Sequence, residues 1–189
     1  MQRRYGRGDA AGFTVTELLV AMVIAGIVLG LGLPSFRALM ADNRMVSTGN
    51  GLRAAALSAR SAAVSLNQSI TFCAGQVDEG CHGDWSRQQW LVFEDDDGDG
   101  SVDAGETIHR AEQQTPTSSL SLSSNGPFRT RVIFTPSGTA VTSTGAFAAG
   151  RVRLCVDRSG SGNTIELVLI GSGRLESEHK TLAGGCSAL

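Results

Sequence analysis

A run of carboxylates at residues 94–106, EDDDGDGSVDAGE, is the part of this sequence best suited to hold a metal ion. Calcium takes six to eight oxygen ligands, and alternate side chains of a flexible loop can point at one centre. Aligned with a calcium loop, the segment supplies its ligands in this order: Asp95, Asp97, Asp99, the backbone of Ser101, Asp103 and Glu106. The spacing predicts a structural calcium site. The alternative is a solvated turn, because strand-like sequence flanks the loop where a calcium-binding hand has helices.

Two strings contain arginines of the kind that contact phosphate. Arg151 and Arg153 lie in GRVR, and Arg174 lies in GRLE. The whole chain has a net charge of −2, and residues 1–12 hold three arginines against one aspartate, so the remainder is more acidic still. An acidic surface gives no long-range attraction for nucleic acid. The charge balance therefore disfavours nucleic acid as a partner, and DNA capture through these arginines is kept only as an alternative.

Catalytic patterns are missing from the sequence. The three histidines, His82, His109 and His179, are isolated from one another, and no GxSxG or HExxH string occurs. No glycine-rich phosphate loop follows a predicted strand. The sequence predicts a protein that is not an enzyme and that requires no cofactor, apart from the calcium considered above.

Four cysteines, Cys73, Cys81, Cys155 and Cys186, lie beyond the apolar N-terminal block, and none is in a CxxC pair. An even number in a chain with an export segment favours disulfides in an oxidising compartment. Of the three pairings that four cysteines allow, we favour Cys73–Cys81 with Cys155–Cys186, because each closes a local loop without crossing the other. Four buried thiols are the alternative.

A carboxylate interrupts the apolar N-terminal segment. Every residue from Leu18 to Leu33 is apolar or glycine, and with the residues just before it the segment reaches about 21 residues, enough to cross a bilayer. Glu17 falls inside it, where an ionised carboxyl costs about 2.5–3.5 kcal/mol. A chain cut between Gly12 and Phe13 would gain an α-amino group on Phe13, which could pair with Glu17 of its own chain, four residues on, or with Glu17 of a neighbouring copy. We therefore predict that Glu17 has a function in assembly.

The elements that position these residues follow from the periodicity. Apolar residues recur at helical spacing as far as Leu66, and Asn67 is predicted to stop the helix. From Ser69 the period shortens to two, with glycine- and serine-rich turns between short segments. The predicted fold class is α+β, with a long N-terminal helix packed on an antiparallel β-sheet or β-sandwich head. The predicted organisation is a leader at 1–12, a membrane-spanning helix at 13–34, an amphipathic continuation at 35–67 and the head at 68–189.

The N-terminal string from Gly12 to Val20, GFTVTELLV, resembles the signature of type IV prepilins. The short basic leader, the glycine before the cut, the aromatic first mature residue and the glutamate at the fifth mature position all agree with it. Pro34 corresponds to the proline that kinks pilin helices. The resemblance implies cleavage after Gly12 by a prepilin peptidase, N-methylation of Phe13, and a pilin-like fold in which Glu17 registers subunits.

The head is similar to the GspH/FimT group of minor pseudopilins and minor pilins. The resemblance rests on Ala59-Arg60, Thr71-Phe72-Cys73, Trp90-Leu91-Val92-Phe93 before the acidic loop, and Leu154-Cys155. In FimT-type pilins that capture DNA, a GRxR motif follows the last long strand, and the corresponding string here is GRLE, where Glu176 replaces the second arginine. The DNA motif is therefore incomplete.

The resemblance predicts a minor pseudopilin of a type II secretion system, with a FimT/FimU-type minor pilin of a type IV pilus as the alternative. Its partners would be other pseudopilins or pilins, the prepilin peptidase and an inner-membrane assembly platform. The chain would cross the bacterial inner membrane once. The arginines before the apolar segment predict a cytoplasmic N-terminus, a periplasmic head and a place in a periplasm-spanning filament.

Overall fold

A long helix precedes the strands. The computed structural model describes residues 12–157, 162–183, 185–186 and 189, without the side chains of residues 31–34, and the predicted leader therefore lies outside it except for Gly12. Helix α1 spans Val15–Leu66 and continues through Pro34. The chain divides into two compact units, residues 1–40 and residues 41–189. The second unit contains the last part of α1 and the strands.

Helix α1 ends where the backbone leaves the right-handed region. Asn67 has a φ of 56°, and asparagine is one of the few residues that tolerate this left-handed conformation. The Gln68 N–H donates to the Ala63 carbonyl at 3.3 Å, which is the hydrogen bond of a Schellman C-cap. The prediction that the helix stops at Asn67 is therefore confirmed.

All of the strand pairs that the structure describes are antiparallel. The strands are β1 Ile70–Cys73, β2 Gly75–Gln76, β3 Gly80–Cys81, β4 Gln89–Glu94, β5 Ile108–Gln113, β6 Ser121–Ser124, β7 Val132–Phe134, β8 Ala140–Val141, β9 Gly150–Cys155, β10 Thr164–Ile170 and β11 Arg174–Lys180. One sheet has the order β5-β4-β1-β7-β8, another has the order β11-β10-β9-β6, and β2 and β3 form a hairpin. The predicted α+β fold, a long helix followed by antiparallel sheets, is confirmed.

A core of alanines and aromatic side chains joins the helix to the strands. The buried face of α1 within the second unit consists largely of small residues: Ala55, Ala56, Ala59 and Ala63. Phe72, Trp85 and Phe128 form an edge-to-face cluster with ring centroids 5.8–6.2 Å apart. The Trp85 indole N–H donates to the Phe128 carbonyl at 2.7 Å, so this buried aromatic cluster includes no unpaired indole.

Two glycines of α1 lie where strand side chains approach the helix closely. A Cβ added to Gly49 would lie 3.5 Å from Ile165 and 3.8 Å from Leu154, whereas one added to Gly51 would lie 3.4 Å from the Trp90 ring. Glycine weakens a helix interior by about 1 kcal/mol relative to alanine. Packing against both sheets is the physical reason that this weakening is tolerated here.

We expect Gly49→Ala to raise the melting temperature of the 41–189 unit and Gly49→Leu to lower it. Alanine fits at ordinary contact distance and gains about 1 kcal/mol of helix propensity, whereas leucine would overpack Ile165 and Leu154 at a cost of about 1–3 kcal/mol. Tryptophan fluorescence reports the transition, because Trp85 and Trp90 are both buried. The exposed Asn50→Ala is the control for propensity alone. A lower melting temperature for Gly49→Ala would contradict this packing.

Both favoured disulfides are present. Cys73 is bonded to Cys81 and Cys155 to Cys186, and no free cysteine remains. The first bond ties β1 to the β2–β3 hairpin, and the second ties the end of β9 to the C-terminal segment. The pairing that closes two separate loops is therefore confirmed, and the alternative of four buried thiols is wrong.

Candidate functional site

The peptide bond between Gly12 and Phe13 lies just before the first turn of α1. Both residues precede the helix, which begins at Val15. Phe13 is 87% exposed, and a Cβ added to Gly12 would have nothing within 4 Å. The predicted cleavage point is therefore outside the helix and free of contacts in the described part of the chain.

Glu17 contacts Thr14 of its own chain. Its Oε2 accepts the Thr14 N–H at 3.3 Å and the Thr14 hydroxyl at 3.4 Å, while the Glu17 N–H donates to the Thr14 hydroxyl at 3.3 Å. This reciprocal pair is a capping box, which satisfies backbone N–H groups at the start of a helix. Sequence reasoning missed it, although the spacing Thr-x-x-Glu was its signal.

The apolar part of α1 is long and hydrophobic enough to cross a membrane. An 18-residue window reaches a mean hydropathy of 2.4, and none of it is buried within the chain. Its large side chains, such as Ile24 and Val28, are more than half exposed. A contiguous apolar surface of this size needs lipid or other protein to cover it.

The acidic loop brings three of its six predicted ligands together. Carboxylate oxygens of Asp95, Asp97 and Asp99 lie within 4.8 Å of one another. Glu106 instead accepts N–H groups from Asp96 at 3.0 Å and Asp103 at 2.9 Å. Strands β4 and β5 flank the loop, as the sequence predicted. Three convergent carboxylates could hold a divalent cation if loop oxygens or water completed its coordination.

Asp95 is the buried member of this group. Its Oδ2 accepts the Thr71 hydroxyl at 2.8 Å and its Oδ1 accepts the Gly100 N–H at 3.3 Å. Arg131 approaches the same carboxylate, with 3.9 Å between Nε and Oδ2, and donates to the Gly98 carbonyl. Sequence reasoning missed Arg131, because it is distant in the chain and reaches the loop only through β7 pairing with β1.

The Cys73–Cys81 disulfide lies against the other side of the acidic loop. The Cys81 N–H donates to the Gly100 carbonyl at 2.8 Å. Val102 packs onto a small buried cluster formed by Cys73, Leu91 and Phe93. The loop is thus held at Asp95, Gly100 and Val102, while Asp97 and Asp99 remain exposed.

Arg151 and Arg153, which the alternative of DNA capture would use as phosphate contacts, bind a carboxylate of their own chain. Glu166 is 1% exposed, and it receives Arg151 at 3.0 Å, Arg153 at 2.7 Å and Lys180 at 2.7 Å. Strand register explains the cluster, since Arg153 lies directly opposite Glu166 on the neighbouring strand. A buried glutamate therefore pairs with both of the arginines that DNA capture would use.

Charge pairing within the Glu166 cluster shifts the pKa values of Glu166 and Lys180. Burial acts to raise the pKa of Glu166, but hydrogen bonds and positive charge from Lys180 and Arg153 outweigh burial and hold that pKa below its usual 4.5. The pKa of Lys180 is raised, because its ammonium hydrogen-bonds to Glu166 and Glu178. Charge pairing therefore dominates over desolvation here.

Arg174, the third predicted phosphate contact, pairs with Glu176 at 2.9 Å on the same strand. It begins β11, so the GRLE string opens the last strand that the structure describes. The motif expected after the last long strand is therefore located at the start of a strand that the sequence did not predict.

Two family models together match most of the chain. The prokaryotic N-terminal methylation motif matches residues 7–33. The family described as type II transport protein GspH matches residues 48–173, two thirds of the sequence. The chain belongs to the GspH family. Strands β1 to β10 and the acidic loop fall inside the GspH match, β11 lies just beyond it, and Gly12, Phe13 and Glu17 fall inside the methylation motif. This GspH-family chain is a minor pilin or pseudopilin with an apolar N-terminal helix.

Solved structures share the fold of this GspH-family chain. A crystal structure of the type IV minor pilin FimU from Pseudomonas aeruginosa strain PAO1 matches it with a TM-score of 0.57 and 21% identity, over 77% of this chain and 97% of that one. A second crystal form of FimU gives 0.53 and 20% identity, over 75% and 98%. No curated protein matches the chain. At this level of identity the likeness to FimU establishes the pilin-like fold alone.

Proposed function

We propose that this protein is a minor pseudopilin of a type II secretion system, a structural filament subunit without chemistry of its own. One observation carries the proposal: a prepilin-type start, GFTVTE, opens an apolar helix that continues into a GspH-family head. The likeness to FimU favours a second candidate, a minor pilin of a type IV pilus. The pairing of Arg151 and Arg153 with Glu166 speaks against DNA capture in either setting.

In the proposed pathway the leader stays in the cytoplasm, and a prepilin peptidase cuts after Gly12 and methylates Phe13. The apolar helix holds the chain in the inner membrane until an assembly platform moves it into the filament, with the head in the periplasm. Exposure of Gly12 and Phe13 supports access by the peptidase. Exposed apolar residues along the helix support burial first by lipid and then by neighbouring pilins.

We expect the membrane-extracted protein to begin at Phe13 and to carry one methyl group on its α-amine. Mass spectrometry of the N-terminal peptide is the measurement, and a strain without the prepilin peptidase is the control, in which Met1 or the intact leader persists. An uncut chain in the normal strain, or a cut beyond residue 34, would rule out the pilin class. Deletion of the gene then separates the two candidates, through loss of protein secretion or loss of surface pili.

We further propose that the acidic loop binds calcium in a structural role, through Asp95, Asp97 and Asp99, with Ser101, Asp103 and Glu106 as the remaining predicted ligands. The convergence of the first three carboxylates supports this. Carboxylate and carbonyl oxygens are the ligands that calcium prefers. The ion would neutralise an acidic loop whose exposed carboxylates otherwise repel one another.

We expect millimolar calcium to raise the melting temperature of the head, and Asp97→Ala to abolish that rise. Asp97 is exposed, so its loss removes a ligand without opening the core. Asp96→Ala is the matched control, because it removes a neighbouring exposed carboxylate outside the predicted ligand set. Binding to the folded state alone stabilises by mass action. A calcium-independent melting curve would end the proposal.

A further inference from the structure

The acidic loop already has a cation that belongs to the protein. The Asp95 carboxylate has no exposed surface, and the Arg131 side chain beside it is 18% exposed. An ionised carboxylate at such a site needs a positive partner or several hydrogen bonds, because desolvation otherwise penalises the charge. Arg131 is the cation paired with it, and Arg131 also donates to Gly98, inside the loop.

The guanidinium lies directly over the loop backbone. A Cβ on Gly100 would be 2.6 Å from Arg131 Nη1 and 3.2 Å from its Cζ. Gly100 also has a φ of +83°, so a side chain there would be strained and would displace the guanidinium. The glycine that a calcium loop needs for its turn thus also makes room for an arginine.

One nitrogen of the Arg131 guanidinium makes no hydrogen bond to the loop. Its Nε is buried and has no hydrogen bond in the described part of the chain, and this atom lies 3.9 Å from Asp95. The distance is longer than a direct charge-assisted hydrogen bond. The Arg131 side chain keeps some exposure, 18%, and this loose contact with Asp95 would make its displacement easier.

From these contacts we infer that Arg131 is the resident cation of the acidic loop: it neutralises Asp95 without metal and competes with calcium for that carboxylate. The competition rests on the calcium site proposed above, whereas the neutralisation does not. A guanidinium and a calcium ion at one carboxylate repel each other, so each disfavours the other. Arg131 thereby sets the calcium concentration at which the loop fills, and it keeps the loop folded below that concentration.

The test compares Arg131→Gln and Arg131→Lys with the unaltered full-length chain in detergent. Tryptophan fluorescence gives the melting temperature in EDTA and in calcium, and calorimetry with calcium chloride gives the dissociation constant. Arg129→Gln is the matched control, because it makes the same charge change at an exposed arginine that bonds to Ser124 and Leu189 instead of the loop.

For Arg131→Gln we expect a lower melting temperature in EDTA, recovery in calcium, and calcium binding about tenfold tighter than in the unaltered chain. The melting temperature and calcium affinity of Arg131→Lys should lie between those of Arg131→Gln and the unaltered chain. If Arg131→Gln does not fold, Arg131→Lys replaces it in the comparison in EDTA. Arg129→Gln should match the unaltered chain. Calcium affinity unchanged by Arg131→Gln overturns the competition.

Two further outcomes separate this inference from the calcium proposal. If no variant binds calcium, the calcium site and the competition both fail. The melting temperatures in EDTA then decide whether Arg131 stabilises the loop without metal. A decrease for Arg131→Gln that is absent for Arg129→Gln then supports Arg131 as the structural cation of the loop. An unchanged melting temperature in EDTA overturns that role, whether or not calcium binds.

Discussion

Glu17→Ala is expected to abolish incorporation of the protein into its filament while leaving the chain in the membrane. In the proposed assembly the Glu17 carboxylate pairs with the methylated Phe13 amine of a neighbour, away from water. Breaking a buried charge pair costs about 3–5 kcal/mol, which corresponds to a loss in incorporation of about 100-fold or more. Membrane insertion should improve, because a carboxyl in a bilayer costs about 2.5–3.5 kcal/mol. Sedimentation of sheared filaments against membranes is the measurement.

Glu17→Gln and Val20→Ala distinguish charge from packing in this experiment. Glutamine keeps the side-chain shape and can still accept the Thr14 hydrogen bonds of the capping box, but it has no charge and cannot form an ion pair with an amine. We therefore expect Glu17→Gln, like Glu17→Ala, to be absent from the filament fraction, whereas Val20→Ala should be present in it. If the two Glu17 variants assemble normally, the capping box is the whole role of Glu17 and the amine pairing is wrong.

Glu166→Gln is expected to destabilise the head by about 3 kcal/mol at neutral pH, the lower part of the range for breaking a buried ion pair. The substitution removes the buried carboxylate that pairs with Arg153, which is 13% exposed. The estimate stays at the lower end because Arg151 and Lys180 are near 40% exposed and can reach water. Urea unfolding followed by tryptophan fluorescence measures the difference.

The pH dependence of this difference has a definite sign. The folded pKa of Glu166 lies below its usual 4.5, so the unfolded chain binds the proton first as the pH falls. The contribution of Glu166 is fully present above about pH 4.5 and is lost as the pH falls through the lower folded pKa. The gap between the unaltered chain and Glu166→Gln should therefore shrink below that pH. Glu178→Gln, at a neighbouring carboxylate that is 44% exposed, should stay within about 1 kcal/mol throughout.

Local patterns predicted a large part of this fold. Helix α1, its end at Asn67, the buried strand segments and the two disulfides followed from periodicity, a helix-stop residue and loop closure. Each depends on residues that are close in the chain, or on the strong apolar signal of strands such as β4 and β10. The acidic loop was also located correctly between two strands, because a segment so rich in aspartate and glycine is unfavourable in a strand.

Two edge strands carry polar sequence without apolar alternation, so β11 was missed and β5 was expected only as a strand-like flank of the acidic loop. Strand β5, IHRAEQ, and strand β11, RLESEHK, lie at the edges of their sheets. An edge strand needs little apolar alternation and often carries charge, which discourages pairing with other chains. The polarity that made these segments resemble loops is therefore a property of their position in the sheet.

Charge pairing across strands was the least predictable part of the candidate sites. Arg151 and Arg153 were considered as phosphate contacts in the alternative of DNA capture, because nothing in the local sequence places Glu166 beside them. Only the β9–β10 register does so. The same holds for Arg131 at Asp95, since β7 and the acidic loop meet through β1. Pairing partners of this kind depend on topology, which the local pattern does not encode.

The order of the disulfides along the chain has a consequence for biogenesis. Cys73 pairs with the next cysteine, Cys81, and Cys155 pairs with Cys186, so the pairs are consecutive. In the proposed topology the residues that follow the membrane-spanning helix leave the translocon first, so each cysteine meets its native mate before the following pair emerges. Oxidation in order of emergence then yields the native bonds directly, and maturation of this subunit should proceed at a normal rate in cells that lack a disulfide isomerase.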